Sequence, residues 1–215
     1  MYRFVLVGIF ALLTNSVNVQ AAPIYQAASV TASTADFGGS FALINMINQS
    51  GLSAGYTSGV SNFATVAGGT THDGASALNS GFSVGPFGQF SFDLGSILNL
   101  NGLAFWKTDN SGTVLGFDLY TDTDQNYGNG IGGLLGTFLA TALGPALSSS
   151  AQAFSFGAVS TQYLHINILT TNGGSQPGIG EIAFRGAAAV PEPASLVLFG
   201  IGMAGLAAMR RRKTA

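Results

Sequence analysis

Gln89-Phe90-Ser91-Phe92-Asp93-Leu94 alternates polar with apolar at every step. Successive side chains of a strand point to opposite faces, so this stretch puts its apolar residues on one face only, as a half-buried strand should. The same habit recurs at residues 101–106, 114–120, 135–140, 153–156, 163–169 and 181–185. Residues 25–33 are short and β-prone, and the apolar run 41–47 reads as a strand or as a single helical turn. Loops rich in Gly, Asn, Ser and Asp separate most of these segments. Many short strands at this spacing, without a long amphipathic helix, predict an all-β fold built as an antiparallel sandwich. The 31 glycines supply turns, because no period of three runs through them.

Both ends of the chain have a different character. Residues 1–21 have the three parts of a secretory signal peptide: Arg3, an apolar run at 4–13, and Val19-Gln20-Ala21 as a small-residue cleavage site. The apolar run is about ten residues, half of what a membrane crossing needs. Cleavage is expected after Ala21, with Ala22 as the second choice. At the other end, Val190, Pro191, Glu192 and Pro193 precede a near-continuous apolar run at 194–209, followed by Arg210, Arg211, Arg212 and Lys213. As a helix that run is roughly 24 Å long, slightly short of a hydrocarbon core of about 30 Å. The prolines stop it growing backwards, and the basic cluster stays on the cytoplasmic side. The plain reading is a C-terminal transmembrane helix.

What remains is a central domain at 22–189, long enough for one core. It holds eight of the nine acids but, of the seven Lys and Arg, only Lys107 and Arg185, a formal charge of −6. Such a domain does not bind nucleic acid by neutralising phosphates. The whole chain, with 47% hydrophobic residues and sixteen Phe, is not disordered by composition. There is no Cys, so an exported domain must be held by burial, with a metal as the other available support.

Two resemblances follow from particular residues. Pro191-Glu192-Pro193, the glycine-containing apolar run (Gly200, Gly202, Gly205) and the basic end closely resemble the PEP-CTERM sorting domain of Gram-negative bacteria. That resemblance implies a partner, a membrane-embedded exosortase that cuts near the motif. It implies export through an inner-membrane intermediate to the cell surface or extracellular matrix, with no span kept in the mature protein. Within the body, residues 92–96, 102–106 and 116–120 look like the middle strands of a discoidin-like (coagulation factor 5/8 type C) galactose-binding jelly roll. Residues 163–168 and 180–186 look like its last strands, and 47–53 like its early loop.

The second resemblance implies a jelly-roll sandwich and commonly a structural calcium, held by the early loop and a Glu on the final strand. Glu181 stands at the Glu position, and Asn48 stands where the family usually has Asp. Calcium accepts amide and main-chain oxygens, so Asn48 weakens a site without forbidding it. The competing reading makes Glu181 a surface carboxylate or a partner of Arg185. Asp73, beside His72, is a further supplier of ligands. Asp122-Thr123-Asp124-Gln125-Asn126 opens like an EF-hand loop, but Tyr127 stands at its sixth position and Gly133 at its twelfth, so only a looser calcium loop or a polar turn remains.

Residues 81–85 match G-x-S-x-G literally, yet a strand rather than a helix is expected to follow. Gly128, Gly130 and Gly133 match G-x-G-x-x-G without an acid at the required distance. His72 and His165 are the only histidines, and no Cys/His cluster suggests zinc. Sugar binding in this fold implies loop aromatics, here Tyr56, Trp106 and Tyr127, although Trp106 ends an apolar strand and also reads as core. The expected function is a non-enzymatic surface or matrix protein binding exopolysaccharide. The alternatives are a secreted polysaccharide hydrolase and a purely structural matrix component.

Overall fold

The structure is a computed structural model, and it describes residues 21–74, 77–85, 87–108, 112–127, 132–141 and 148–187. Within them the strands are β1 Ile24–Tyr25, β2 Ser29–Ala32, β3 Thr71–Asp73, β4 Gly81–Phe82, β5 Gln89–Trp106 and β6 Val114–Asp122. They continue as β7 Leu134–Leu139, β8 Ser148–Ser150, β9 Gln152–Thr171, β10 Gly178–Ile179 and β11 Glu181–Gly186. One short helix, α1 Phe63–Gly69, is capped by Asn62, whose side chain accepts from the Thr65 amide at 2.9 Å. The apolar run at 41–47 becomes 3-10 turns, Gly39–Phe41 and Leu43–Met46, rather than a strand.

Two strands organise everything else. The sequence breaks β5 and β9 into shorter strands at their glycines, whereas the chain runs on, for 18 residues in β5 and 20 in β9. Their antiparallel pairing shifts register between Asp93 and Leu98 and again between Leu100 and Gly102. Gly95, at φ 77, takes the left-handed conformation that lets the backbone turn there without ending the ladder.

The bend divides the paired strands between two layers. In one, β2 and the second half of β9 flank the first half of β5, and β6 and β7 continue the sheet. In the other, β11 and the first half of β9 flank the second half of β5, and β1 lies beyond β11. The expected antiparallel β-sandwich is what the chain forms.

Alternation then sorts the side chains. Phe90, Phe92, Leu103 and Phe105 of β5 turn into the sandwich with Phe117, Leu119, Leu164, Ile166, Ile182 and Phe184. The rings of Phe92 and Phe184 meet edge to face at 5.7 Å, and those of Phe105 and Phe117 stack at 5.8 Å, joining the layers. The alternate residues Ala104, Trp106 and Ala183 face a second cluster beneath α1, with Ile24, Tyr56, Phe63 and Val66. Each fully buried large side chain contributes roughly 1.5–3 kcal/mol, which is how a body without disulfides is held.

Candidate functional site

Loops gather at one end of the sandwich through main-chain hydrogen bonds. Phe37 N–H donates to Phe82 O, Val84 N–H to Ala35 O, Ser83 N–H to Pro177 O, and Gly178 N–H to Gly112 O. Beside this loop end, Glu181 opens β11 opposite Trp106 and is fully buried. Its Oε2 accepts from the Gln49 amide at 2.9 Å, while Oε1 is buried without a hydrogen-bond partner. Burial pushes this carboxyl well above the usual range, partly offset by the Gln49 amide and the Tyr56 hydroxyl. The Tyr56 hydroxyl is in turn pushed up by burial and by the nearby Glu181 charge. Arg185 is not the partner of Glu181. Its guanidinium is held by Asn101 Oδ1 and O, both at 2.7 Å, and by Ser155 Oγ, and lies over the Phe63 ring.

The early loop is built around that carboxylate. Gln49 sits at φ 64, the one described non-glycine residue in the left-handed region, and its side chain is locked by Gln26 and by both main-chain groups of Tyr56. Asn48 Oδ1 accepts from Ser50 N–H at 2.9 Å, and Gly51 O accepts from Asp73 N–H at 2.8 Å. Asn48, Asp73 and Glu181 are therefore brought to one corner. Among the described residues no group of three or more His, Cys, Asp or Glu could hold a metal. A calcium ion here would rest on the orphaned Glu181 oxygen, the Asn48 amide and main-chain carbonyls. Those hard oxygen donors fit it, and the desolvated carboxylate favours a cation.

The second calcium candidate is built differently and lies at the opposite end. Asp122 Oδ1 accepts from Thr123 N–H at 2.6 Å, and Asp124 Oδ1 accepts from Asn126 N–H at 2.7 Å. Asp122 Oδ2 faces buried His165 Nε2 at 3.3 Å, and that nitrogen also contacts Asp124 O at 3.0 Å. Two acceptors at one nitrogen place the proton there. Burial is the main influence on His165 and lowers its pKa, against the pull of Asp124 and Asp122. The Tyr127 ring meets the imidazole edge to face at 4.5 Å. These contacts make residues 122–127 a polar flap closed over His165.

The three aromatics suggested as sugar platforms take inward positions. Trp106 is fully buried, with Nε1 donating to Thr70 O at 3.3 Å, so it belongs to the core. Tyr56 is buried beside Glu181, and Tyr127 is held against His165. The Trp106 and Tyr56 rings cannot stack on a sugar as they stand, and Tyr127 is half-buried. Two phenylalanines that sequence reasoning passed over are instead open at the loop end: Phe37 is 42% and Phe87 56% exposed. Phe37 is braced edge to face by Phe41, and Phe41 by Phe82. The signal was the glycine flanking both, in Phe37-Gly38-Gly39 and Gly85-Pro86-Phe87-Gly88, where a lone apolar residue sits in a turn rather than in an alternating strand.

Ser83 of the G-x-S-x-G match is buried, and the next element is β5, not the helix that a nucleophile elbow needs. A separate groove of about 500 Å³ lies at the bend end, lined by Asp122, Gln162 and Tyr163 among others. The sorting residues Val190, Pro191, Glu192, Pro193, Arg210, Arg211, Arg212 and Lys213, the signal stretch 1–20, and Gly128 and Gly130 lie outside the described residues. Among the described residues no helix is long and apolar enough to cross a membrane.

Comparison with known proteins supports both resemblances. Residues 189–213 match the PEP-CTERM protein-sorting motif. The chain thus carries an exosortase sorting signal, that of an exported protein processed at the membrane. No curated protein matches the chain in sequence. In structure the body is similar to discoidin-like CBM32 modules. A truncated AlyQ with CBM32 and alginate lyase domains superposes with TM-score 0.52 at 18% identity, over 82% of this chain and 37% of AlyQ. The CBM32-1, CBM32-2 and M60 catalytic domains of Clostridium perfringens ZmpB give 0.53 at 10% identity, over 78% of this chain and 15% of that one. A C. perfringens CBM32 in complex with GalNAc-β-1,3-galactose gives 0.50 at 11%, over 73% and 93%. At these identities the likeness establishes the fold, a discoidin-like β-sandwich, and not the ligand.

Proposed function

We propose that this is a non-catalytic surface or extracellular-matrix protein that an exosortase delivers and that binds exopolysaccharide through the loop end of its sandwich. The observation that carries the reading is the pair of open rings, Phe37 and Phe87, on the loops of a carbohydrate-module fold. A phenyl face offers apolar surface to the C–H face of a sugar. Asn172, Ser175 and Gln176 are exposed on a neighbouring loop, with amide and hydroxyl groups for sugar hydroxyls. A structural calcium at the Glu181 corner would neutralise the buried carboxylate and stiffen the early loop. It would take no part in chemistry.

A glycan array on the exported protein, followed by titration calorimetry, tests the reading. The Phe87→Ala variant should bind the best glycan about tenfold more weakly, with an unchanged melting temperature. No binding to any glycan would favour the purely structural alternative, and release of reducing ends from that glycan would favour the hydrolase. The mass of the form recovered outside the producing cells reads the sorting step: loss of residues 1–21 and of the basic tail is expected.

A further inference from the structure

From Gln125 to Gly180 the chain contains no Asp, Glu, Lys or Arg. All of β7, β8 and β9 lie in that stretch, so the strands of one flank carry no formal charge of their own. Charge reaches them only from neighbours, Asp118 of β6 accepting from Thr137 of β7 and Arg185 of β11 donating to Ser155 of β9. Among the described residues β7 pairs only with β6, and the first half of β9 (residues 152–161) pairs only with β5. Each therefore shows a row of main-chain N–H and C=O groups with no strand opposite. Monomeric proteins protect such edges with lysine, proline or brevity. Residues 134–139 and 152–161 have neither lysine nor proline.

The two open edges lie one above the other. The Phe138 ring of β7 meets the Phe154 ring of β9 at 5.3 Å across the layers. Between them the core is incompletely closed: Leu135, Phe138, Phe154 and Phe156 are only partly buried, and Leu134 and Leu139 are 55% and 73% exposed. Apolar surface and unpaired main chain coincide here, where a merely solvated edge would be polar.

We propose that this flank is an interface with a second copy of the chain, β9 pairing antiparallel with the partner's β9 and β7 with the partner's β7. A twofold axis normal to the two layers satisfies both pairings at once, extends both sheets and closes the seam between them. An identical edge is the fitting occupant because one twofold axis sets an open β7 against an open β7 and an open β9 against an open β9, with no charged side chain of either strand opposed. A single unrelated strand would extend one sheet only. The outward residues of this part of β9 are Ala153, Ser155, Gly157, Ala158 and Ser160, small enough to let a second strand approach.

Sedimentation velocity of the exported protein over a concentration series tests this. The wild type should show a monomer–dimer equilibrium. Ala158→Lys combined with Leu139→Lys, both on exposed side chains, should raise the dimer Kd by about tenfold or more. Val60→Lys, at a 77% exposed residue on the loop before α1, should leave it unchanged. A monomeric wild type, open-ended aggregates instead of dimers, or equal effects of the two substitutions would overturn the proposal. Should the double variant fail to fold, amide exchange in the wild type decides. Slower exchange at 152–161 with rising concentration supports the interface, and unchanged exchange sinks it.

Discussion

The two flanks of the sandwich are made from the same alternating strands and end in opposite ways. On the α1 flank, β1 and the helix cover the outer face of β11 and β5, leaving Ile24 and Trp106 fully buried and Phe63 at 4%. On the β7/β9 flank no described element covers the seam, and four of its aromatic and aliphatic side chains stay half-exposed. The strands themselves do not account for the contrast. A seven-residue helix, Phe63–Gly69, on one side accounts for it. One flank is closed over its apolar side chains, and the other is not closed by any described element.

Removing a ring from each flank breaks the comparison most sharply. Trp106→Ala is expected to cost about 3–5 kcal/mol in denaturant unfolding, because the pocket under α1 cannot collapse around the loss. Phe156→Ala, already partly in water, should cost less than half as much. Equal costs would show that the second flank is as tightly packed as the first.

A smaller effect separates the Glu181 corner from the rest of the α1 flank. The folded carboxyl titrates above its unfolded value of about 4.5. Its contribution to stability is therefore complete below that pH and is lost as pH rises towards the folded value. Glu181→Gln should remove this decline and be the more stable protein at pH 7 without metal. Adding calcium should raise the melting temperature of the wild type at pH 7 and leave the Gln variant unmoved. A response of both proteins to calcium, or of neither, would take the ion away from this corner.

The smallest expected effect is at the flap. His165 titrates below its ordinary value of 6.5, so the unfolded chain takes up a proton first as pH falls. Stability should be flat above about pH 6.5 and fall below it, as Asp122, Asp124, Tyr127 and Ser91 surround an imidazole that resists charging. His165→Gln should flatten that slope in melting curves taken between pH 7 and 5. An unchanged slope would place the titrating group elsewhere.

Much of the fold was legible because period-two alternation is a local property. Residues 89–94, 114–120 and 181–185 carry their own inside and outside, and each lies in a strand of the structure. The resemblance of 180–186 to a final strand likewise agrees with β11, which Glu181 opens. Length and continuity were less legible. Gly95 reads as a turn but serves as the pivot of an uninterrupted strand, because neighbours on both sides hold the ladder across it. The aromatic residues were the least legible. Trp106 and Phe87 both adjoin loops in the sequence, and only the arrival of α1 over one and of nothing described over the other makes the first core and the second surface.

Composition and local pattern by themselves determined the strands, the uncharged stretch, the absence of disulfides and the sorting signal at 189–213, since each is written in adjacent residues. Tertiary structure alone decided that β5 and β9 each serve two layers, that Glu181 loses its water, and that one flank is sealed while the other stays open. Burial depends on what arrives from elsewhere in the chain, and no window of sequence contains its own neighbours.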